Sequence, residues 1–249
     1  MIEVMTAYTC EIDDAESAVS DILARMDKEK LRKNSLGILT CHEDFLASGV
    51  VSALCEKLPF DVAGVSTLAS AVPGGGGPEA LSLLVLTSDD VFFSAALSRP
   101  LVPGDWKAPI EEVYRSALEG LGIRSENCPL GLTFAPFTPW IGGDEFLRVL
   151  DETAGGVPFF GSLPAGHSPV DHVTFVVFNG RKYDDRLALV LLSGDVHPRF
   201  ACSSIAEEKV SMRKGIVTNS DGNLLKEVNG MPVLSYLEKI GLVRNGELL

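Results

Sequence analysis

The chain has 249 residues, 46% of them hydrophobic, with mean hydropathy +0.21 and a formal net charge of −13 from 34 acidic and 21 basic side chains. That apolar content supports a sizeable core in one large or two ordinary domains and excludes disorder. No apolar run reaches the ~18 residues of a membrane span, and an acidic chain without a basic patch excludes nucleic acid as an expected partner.

The opening Met1-Ile-Glu-Val lacks the basic and apolar regions of a signal peptide. Cys10, Cys41, Cys55, Cys128 and Cys202 make an odd count without a Cys-x-x-Cys pair. Reduced thiols in a cytoplasmic protein are expected, rather than a disulfide framework or a zinc site. No cofactor, metal or membrane contact is expected.

Met1–Cys10 reads as an opening strand. Asp13 or Asp14 then caps a helix whose stripe is Ala15, Ala18, Val19, Ile22, Leu23 and Met26. A charged loop over 27–34 leads to Leu36-Gly-Ile-Leu-Thr-Cys41, a short apolar run typical of a strand buried on both faces. Glu43-Asp44 place acidic groups at the positive end of the next helix. Phe60–Ser66 is the following strand, and the glycine-rich 71–78 interrupts it. Leu81–Thr87 and Val91–Leu97 are predicted to form a hairpin turned at Ser88-Asp89-Asp90, with a linker over 99–108.

Pro109 suits the first turn of the next helix, with Ile110, Val113, Tyr114, Ala117, Leu118 and Leu121 on one stripe and Gly122 stopping it. Leu130–Ala135 is a strand, Asp144-Glu-Phe-Leu147 starts a helix, and Val157–Leu163 is a strand. Asn179-Gly180 is a strong turn signal, since both residues tolerate positive φ. It is predicted to join His172–Phe178 to Arg186–Leu192, and Ser193-Gly-Asp195 to turn the chain again into Arg199–Ser204.

The two series match in order. The six stripe positions of the first helix align without a gap on those of the helix beginning at Pro109. Leu36-Gly37 aligns on Leu130-Gly131, and Glu43-Asp-Phe-Leu46 on Asp144-Glu-Phe-Leu147. A duplication is predicted: an α/β fold of two pseudo-repeated halves with mixed sheets, over 1–104 and 105–205, and a C-terminal strand–helix tail over 206–249. Similar halves most simply pack across a pseudo-two-fold seam, and clefts there are common ligand sites. Gly64, Ser66 and Thr67 from one half, with Gly161, Ser162 and His167 from the other, are the candidate ligand-binding residues. Their glycines permit close backbone approach and their side chains offer hydrogen bonds without a fixed charge.

Other motifs are weaker. Pro73-Gly-Gly-Gly-Gly-Pro78 lacks the Gly-Lys-Ser/Thr and the following helix of a phosphate loop. Cys41 and His42 point to opposite faces of a strand and form no dyad with each other. His167 and Asp171-His172 fit no standard structural metal spacing. Ser162 lacks the Gly-x-Ser-x-Gly elbow.

The tail carries the most specific motif. Val217-Thr-Asn-Ser-Asp-Gly-Asn-Leu-Leu-Lys-Glu-Val-Asn-Gly-Met-Pro-Val-Leu-Ser-Tyr-Leu237 resembles the junction of FIST-domain proteins (F-box and intracellular signal transduction). In that junction a Gly-Asn-x-Leu-x-Glu-x-Asp/Asn-Gly-x-Pro segment leads into a helix. Phe159-Phe-Gly-Ser, Phe178-Asn-Gly-Arg181 and Leu189-Val-Leu-Leu-Ser-Gly-Asp195 agree in order. The resemblance implies a sensory module that binds small ligands such as amino acids, with no catalytic residue set to carry over. The chain stops just after the C-terminal FIST region would begin. The expected function is thus non-catalytic small-ligand binding in signal transduction, with a signalling-protein partner and a homodimer both left open. The alternatives are an enzyme of hydrolase or transferase type using Cys41 or Ser162, and an interaction scaffold.

Overall fold

The computed structural model describes residues 1–77, 79–138, 140–165, 174–204, 206, 215–221, 224–244 and 246–248. The chain divides into two compact units, Met1–Pro198 and Arg199–Leu249. The first unit opens with β1 (Glu3–Thr9), α1 (Ala15–Arg25), β2 (Asn34–Cys41), α2 (Glu43–Ala47), α3 (Val50–Cys55), β3 (Asp61–Ser66), β4 (Ser70–Val72), β5 (Gly75–Gly77) and β6 (Leu81–Ser88). It continues with β7 (Phe92–Leu97), α4 (Lys107–Leu121), β8 (Leu130–Phe134), α5 (Gly143–Ala154), β9 (Phe159–Ser162), β10 (Val176–Phe178), β11 (Arg181–Tyr183) and β12 (Ala188–Ser193).

Local chemistry sets the element ends. Asp14 Oδ1 accepts the N–H groups of Glu16 and Ser17 at 3.0 and 3.1 Å, the bond pattern of a helix N-cap. Gly122 and Gly155 close α4 and α5 in the left-handed conformation at φ 66° and 65°.

The duplication is written in the sheet topology. One sheet runs β1-β6-β2-β3-β10-β11 and the other β7-β12-β8-β9. Substituting β7 for β1, β12 for β6, β8 for β2 and β9 for β3 converts the first four strands of one into the other. The senses agree too. β6 is antiparallel to both β1 and β2, β12 is antiparallel to both β7 and β8, and the pairs β2–β3 and β8–β9 are parallel.

Two predicted hairpins differ from the structure. β6 and β7 lie in separate sheets, so Ser88–Asp90 is a crossing between layers and each copy opens on its own strand. The Asn179-Gly180 turn forms as expected, at φ 47° and 80°, but its second arm is β11, while β12 runs in the other sheet. Arg199–Ser204 carries no strand.

Three cores stack the layers. Ile22, Leu39, Phe45, Leu54 and Leu83 pack α1, α2 and α3 on the first sheet. Ile110, Tyr114, Phe146, Leu150 and Leu189 pack α4 and α5 on the second. Leu36, Ala63, Val65, Leu132, Phe134, Val190 and Leu192 join the two sheets face to face. The unit is a helix–sheet–sheet–helix sandwich, and β12, buried on both faces, is apolar at every position except Ser193 at its end.

The second unit holds β13 (Val217–Asp221), β14 (Leu224–Val228), β15 (Met231–Pro232), α6 (Val233–Lys239), β16 (Val243–Arg244) and β17 (Glu247–Leu248). β13, β14 and β15 form one antiparallel sheet, and Val228 and Val243 are buried.

Candidate functional site

The parallel strands β8 and β9 end beside the N-terminus of α5, as β2 and β3 end beside α2. In open α/β sheets the crevice outside such carboxyl ends is the usual ligand position. Pair register aligns the copies: Leu39 lies opposite Gly64, and Thr133 opposite Gly161. A Cβ on Gly64 would collide with the Leu39 carbonyl oxygen, and one on Gly161 with the Thr133 carbonyl oxygen. Both glycines therefore allow close strand approach in the same place of each copy. Ser162 lies opposite Phe134, the place Val65 holds opposite Thr40, so Ser162 and Ser66 are one residue out of equivalence.

The sequence-predicted residues have different surroundings. Ser66 is 1% exposed. Its Oγ accepts the Phe175 N–H at 2.8 Å, and its own N–H donates to the Phe175 carbonyl at 2.8 Å. Thr67 donates its N–H to Cys41 O at 2.9 Å and its hydroxyl to Ala69 O at 3.2 Å. Ala165 N–H reaches Ser66 O at 3.0 Å, so the loop after β9 meets the end of β3. Ser162 is exposed and its Oγ donates to Leu163 O at 3.0 Å. His167 lies outside the described residues, as do Asp171 and His172.

An open cleft of about 360 Å³ lies at Gly161 and Ser162, lined also by Thr133, Ala135, Gly143, Phe146, Leu147, Phe159, Phe160 and Leu163. Its walls are chiefly aromatic and aliphatic, with two hydroxyl side chains. Thr133 is 6% exposed, and its buried Oγ1 has no hydrogen-bond partner among the described residues. A buried hydroxyl left unbonded costs about 1–3 kcal/mol. The first copy has the apolar Leu39 at this place. Thr133 and Phe146 were not singled out from the sequence. Aligning Thr133 on Leu39 shows a polar residue in a core register, which is the signal available there.

Other candidates fit a ligand less well. A depression of about 430 Å³ along α4 and α5 is lined by Lys107, Glu111, Arg115 and Glu152, charges of both signs. Glu152 is already paired with Arg148 at 2.6 Å. Cys41 is fully buried, and burial pushes its thiol up to about 12, that of Cys55 to about 11. A thiolate nucleophile requires the opposite shift. His42 pairs with Asp44 at 3.1 Å. Glu43 Oε2, at the start of α2, is the other buried oxygen without a partner among the described residues. No cluster of three or more His, Cys, Asp or Glu side chains able to hold a metal occurs among the described residues. No helix of the described residues is long and apolar enough to cross a membrane.

No curated protein sequence matches the chain. Among solved structures it is similar to a cyanuric acid hydrolase described as an evolutionary innovation by structural concatenation. The TM-score there is 0.41 at 9% identity, covering 77% of this chain and 67% of that one. It is also similar to cyanuric acid hydrolase from A. caulinodans, with TM-score 0.40 at 11% identity, covering 78% and 72%. Likeness this remote carries no inference about activity. The FIST N domain model, in contrast, matches residues 35–231, a span that starts in β2 and ends at β15. With most of its length inside that match, the chain belongs to the FIST N domain family.

Proposed function

We propose that this FIST domain binds a small metabolite in the cleft at the ends of β8 and β9 and acts as a non-catalytic sensor. The family is one of signal-transduction sensory domains. The observation that carries the reading is Thr133: a buried hydroxyl without a partner among the described residues, on the wall of a chiefly apolar cleft. A ligand reaches that oxygen once the Thr133 side chain turns it toward the cleft, and then regains what folding left unsatisfied. The walls of Phe146, Leu147, Phe159 and Phe160 favour an apolar body. An amino acid with an aliphatic or aromatic side chain, or a related metabolite, combines that body with donors and acceptors. A polyanionic nucleotide fits poorly, because Asp144 and Glu145 occupy the first turn of α5. The proposed candidate set is centred on Gly161 and Ser162; Gly64, Ser66 and Thr67 support the strand end that Ala165 joins.

The hydrolase reading with Cys41 is disfavoured by that thiol's burial, and Ser162 donates its proton to a main-chain carbonyl. A thermal-shift screen of free amino acids and related metabolites tests the proposal. A ligand at a hundredfold excess over its Kd adds about 2.7 kcal/mol to folded-state stability. A selective shift that Ser162→Ala and Thr133→Val both diminish is expected. A shift insensitive to both changes, or turnover of the bound compound seen by mass spectrometry, would defeat it.

A further inference from the structure

The two copies differ at one edge. In the first sheet the outer edge of β3 is covered by β10, antiparallel, with Val177 opposite Gly64. Ser66 N–H donates to Phe175 O at 2.8 Å, and Asn179 N–H to Val62 O at 2.9 Å. Val177 is 0% exposed and packs on the helix side among Leu39, Phe45 and Val62. It fills the space beside the missing Cβ of Gly64.

In the second sheet β9 is the last strand, and no described strand pairs with its outer edge. Pro158 O and Ser162 O accept from Gly131 and Ala135 of the neighbouring chain segment. The alternation of a strand then directs the main-chain groups of Phe159, Gly161 and Leu163 outward. These are the register counterparts of Val62, Gly64 and Ser66, the residues that β10 pairs with in the other copy. The cleft walls Thr133, Phe146 and Phe159 likewise correspond to Leu39, Phe45 and Val62. The cleft is thus the space that Val177 fills in the first copy. Around it Phe160 is 65% exposed, Leu147 55% and Leu163 50%, an apolar rim of the kind that marks binding surfaces.

We infer that the outer edge of β9 docks an extended strand of a partner polypeptide, antiparallel to β9, with a β-branched apolar residue opposite Gly161. Strand addition draws affinity from main-chain bonds and specificity from pockets for alternate side chains. A second copy of this chain pairing β9 on β9 in register would set glycine against glycine and leave the cleft unfilled, so the docked strand has a sequence other than that of β9. It carries no acidic residue near the cleft, where Asp144 and Glu145 stand, and gains from a basic flank, as Arg181 and Lys182 flank β10. The strand's β-branched residue would enter the same cleft as the small ligand, so the two occupants exclude each other, but the docking is carried by the outward main chain of β9 and not by the Thr133 hydroxyl.

The probe is a fluorescein-labelled peptide with the sequence of residues 174–183, titrated by anisotropy against the whole chain. Saturable binding is expected, weakened about tenfold or more by Leu163→Pro, which removes the counterpart of the Ser66 donor. Val177→Asp in the peptide should weaken it similarly against unchanged protein, which keeps the test valid if Leu163→Pro fails to fold. Thr133→Val makes that wall as apolar as Leu39 makes it in the first copy, so it should hold or raise peptide affinity while it diminishes the small-ligand response. Absence of binding up to about 1 mM peptide, the weak end of specific recognition, would overturn the inference. Binding indifferent to both changes would do the same. A concentration-dependent dimer in sedimentation that Leu163→Pro abolishes would assign the edge to a second copy instead and also overturn it.

Discussion

Replacing Thr133 by Val keeps the shape of a residue that is 6% exposed and removes the oxygen that has no partner among the described residues. For an ordinary buried hydroxyl, deletion breaks a bond and destabilises. Here no bond to a described residue is present to break, so the change removes an uncompensated desolvation cost of about 1–3 kcal/mol. Valine also suits a strand position better than most residues. The compact unit around it spans Met1–Pro198, a size at which 1 kcal/mol moves Tm by about 2–4 °C. The low end of the cost therefore raises Tm of the unliganded protein by about 2–4 °C. The same variant should lose part of the ligand-induced shift, because the ligand no longer finds the hydroxyl. Differential scanning fluorimetry with and without the best screening hit measures both. A variant that melts lower than the parent would mean that Oγ1 is bonded in the native protein. An undiminished ligand shift would mean that Thr133 faces no ligand. Either result removes the observation on which the proposed site rests.

Gly64→Ala and Gly161→Ala both drive a Cβ into a neighbouring carbonyl, but β3 is held between β2 and β10 while β9 is an edge and can shift. Overpacking costs about 1–3 kcal/mol; urea unfolding should put Gly64→Ala at the top of that range, Gly161→Ala at the bottom, and Gly75→Ala, with open space around it, near zero. Cys10 and Cys202 are exposed and should react with a disulfide reagent in the native protein, while Cys41 should react only on unfolding. Burial raises the Cys41 and Cys55 thiols to about 12 and 11, so the stability linked to them is full below the ordinary thiol pKa and lost as pH climbs through those values. Cys41→Ala should accordingly flatten the alkaline fall of Tm, and an unchanged slope would contradict the assigned burial effect. Asp14→Ala removes two bonds to α1 N–H groups and should lower stability by about 1 kcal/mol in urea titrations.

The helices were legible because their signals are local. The stripe Ala18, Val19 and Ile22 lies on the buried face of α1, and Ile110, Val113, Tyr114 and Ala117 on that of α4. The Asn179-Gly180 turn was legible for the same reason, since its positive φ values belong to the residues themselves. Strand partners were not. Leu81–Ser88 followed by Phe92–Leu97 has the appearance of a hairpin, yet β6 pairs with β1 and β2, and β7 with β12. Strand pairing is a long-range choice, made by which apolar faces close the two helix-covered cores and the inter-sheet core. The candidate site divides in the same way. Gly161 and Ser162 stand out as a glycine and a hydroxyl at the end of an apolar run. Thr133 looks ordinary until its register opposite Gly161 is known.

The sequence by itself determined the duplication, the α/β class, the start of α1 at Asp14 and the end of α4 at Gly122, because apolar periodicity, caps and glycines act within a few residues of where they stand. Only the tertiary structure decided which copy keeps an open cleft. Both copies share the paired glycines, the parallel strand ends and the phenylalanine of the following helix. The hairpin β10–β11, encoded within the second copy, lies against the first copy's sheet. Val177 thereby seals the cleft beside Gly64, while at the equivalent cleft beside Gly161 no described strand covers the edge and the Thr133 hydroxyl has no partner among the described residues. That asymmetry arises from a pairing more than a hundred residues apart in sequence, Val62 with Asn179, which no local pattern encodes.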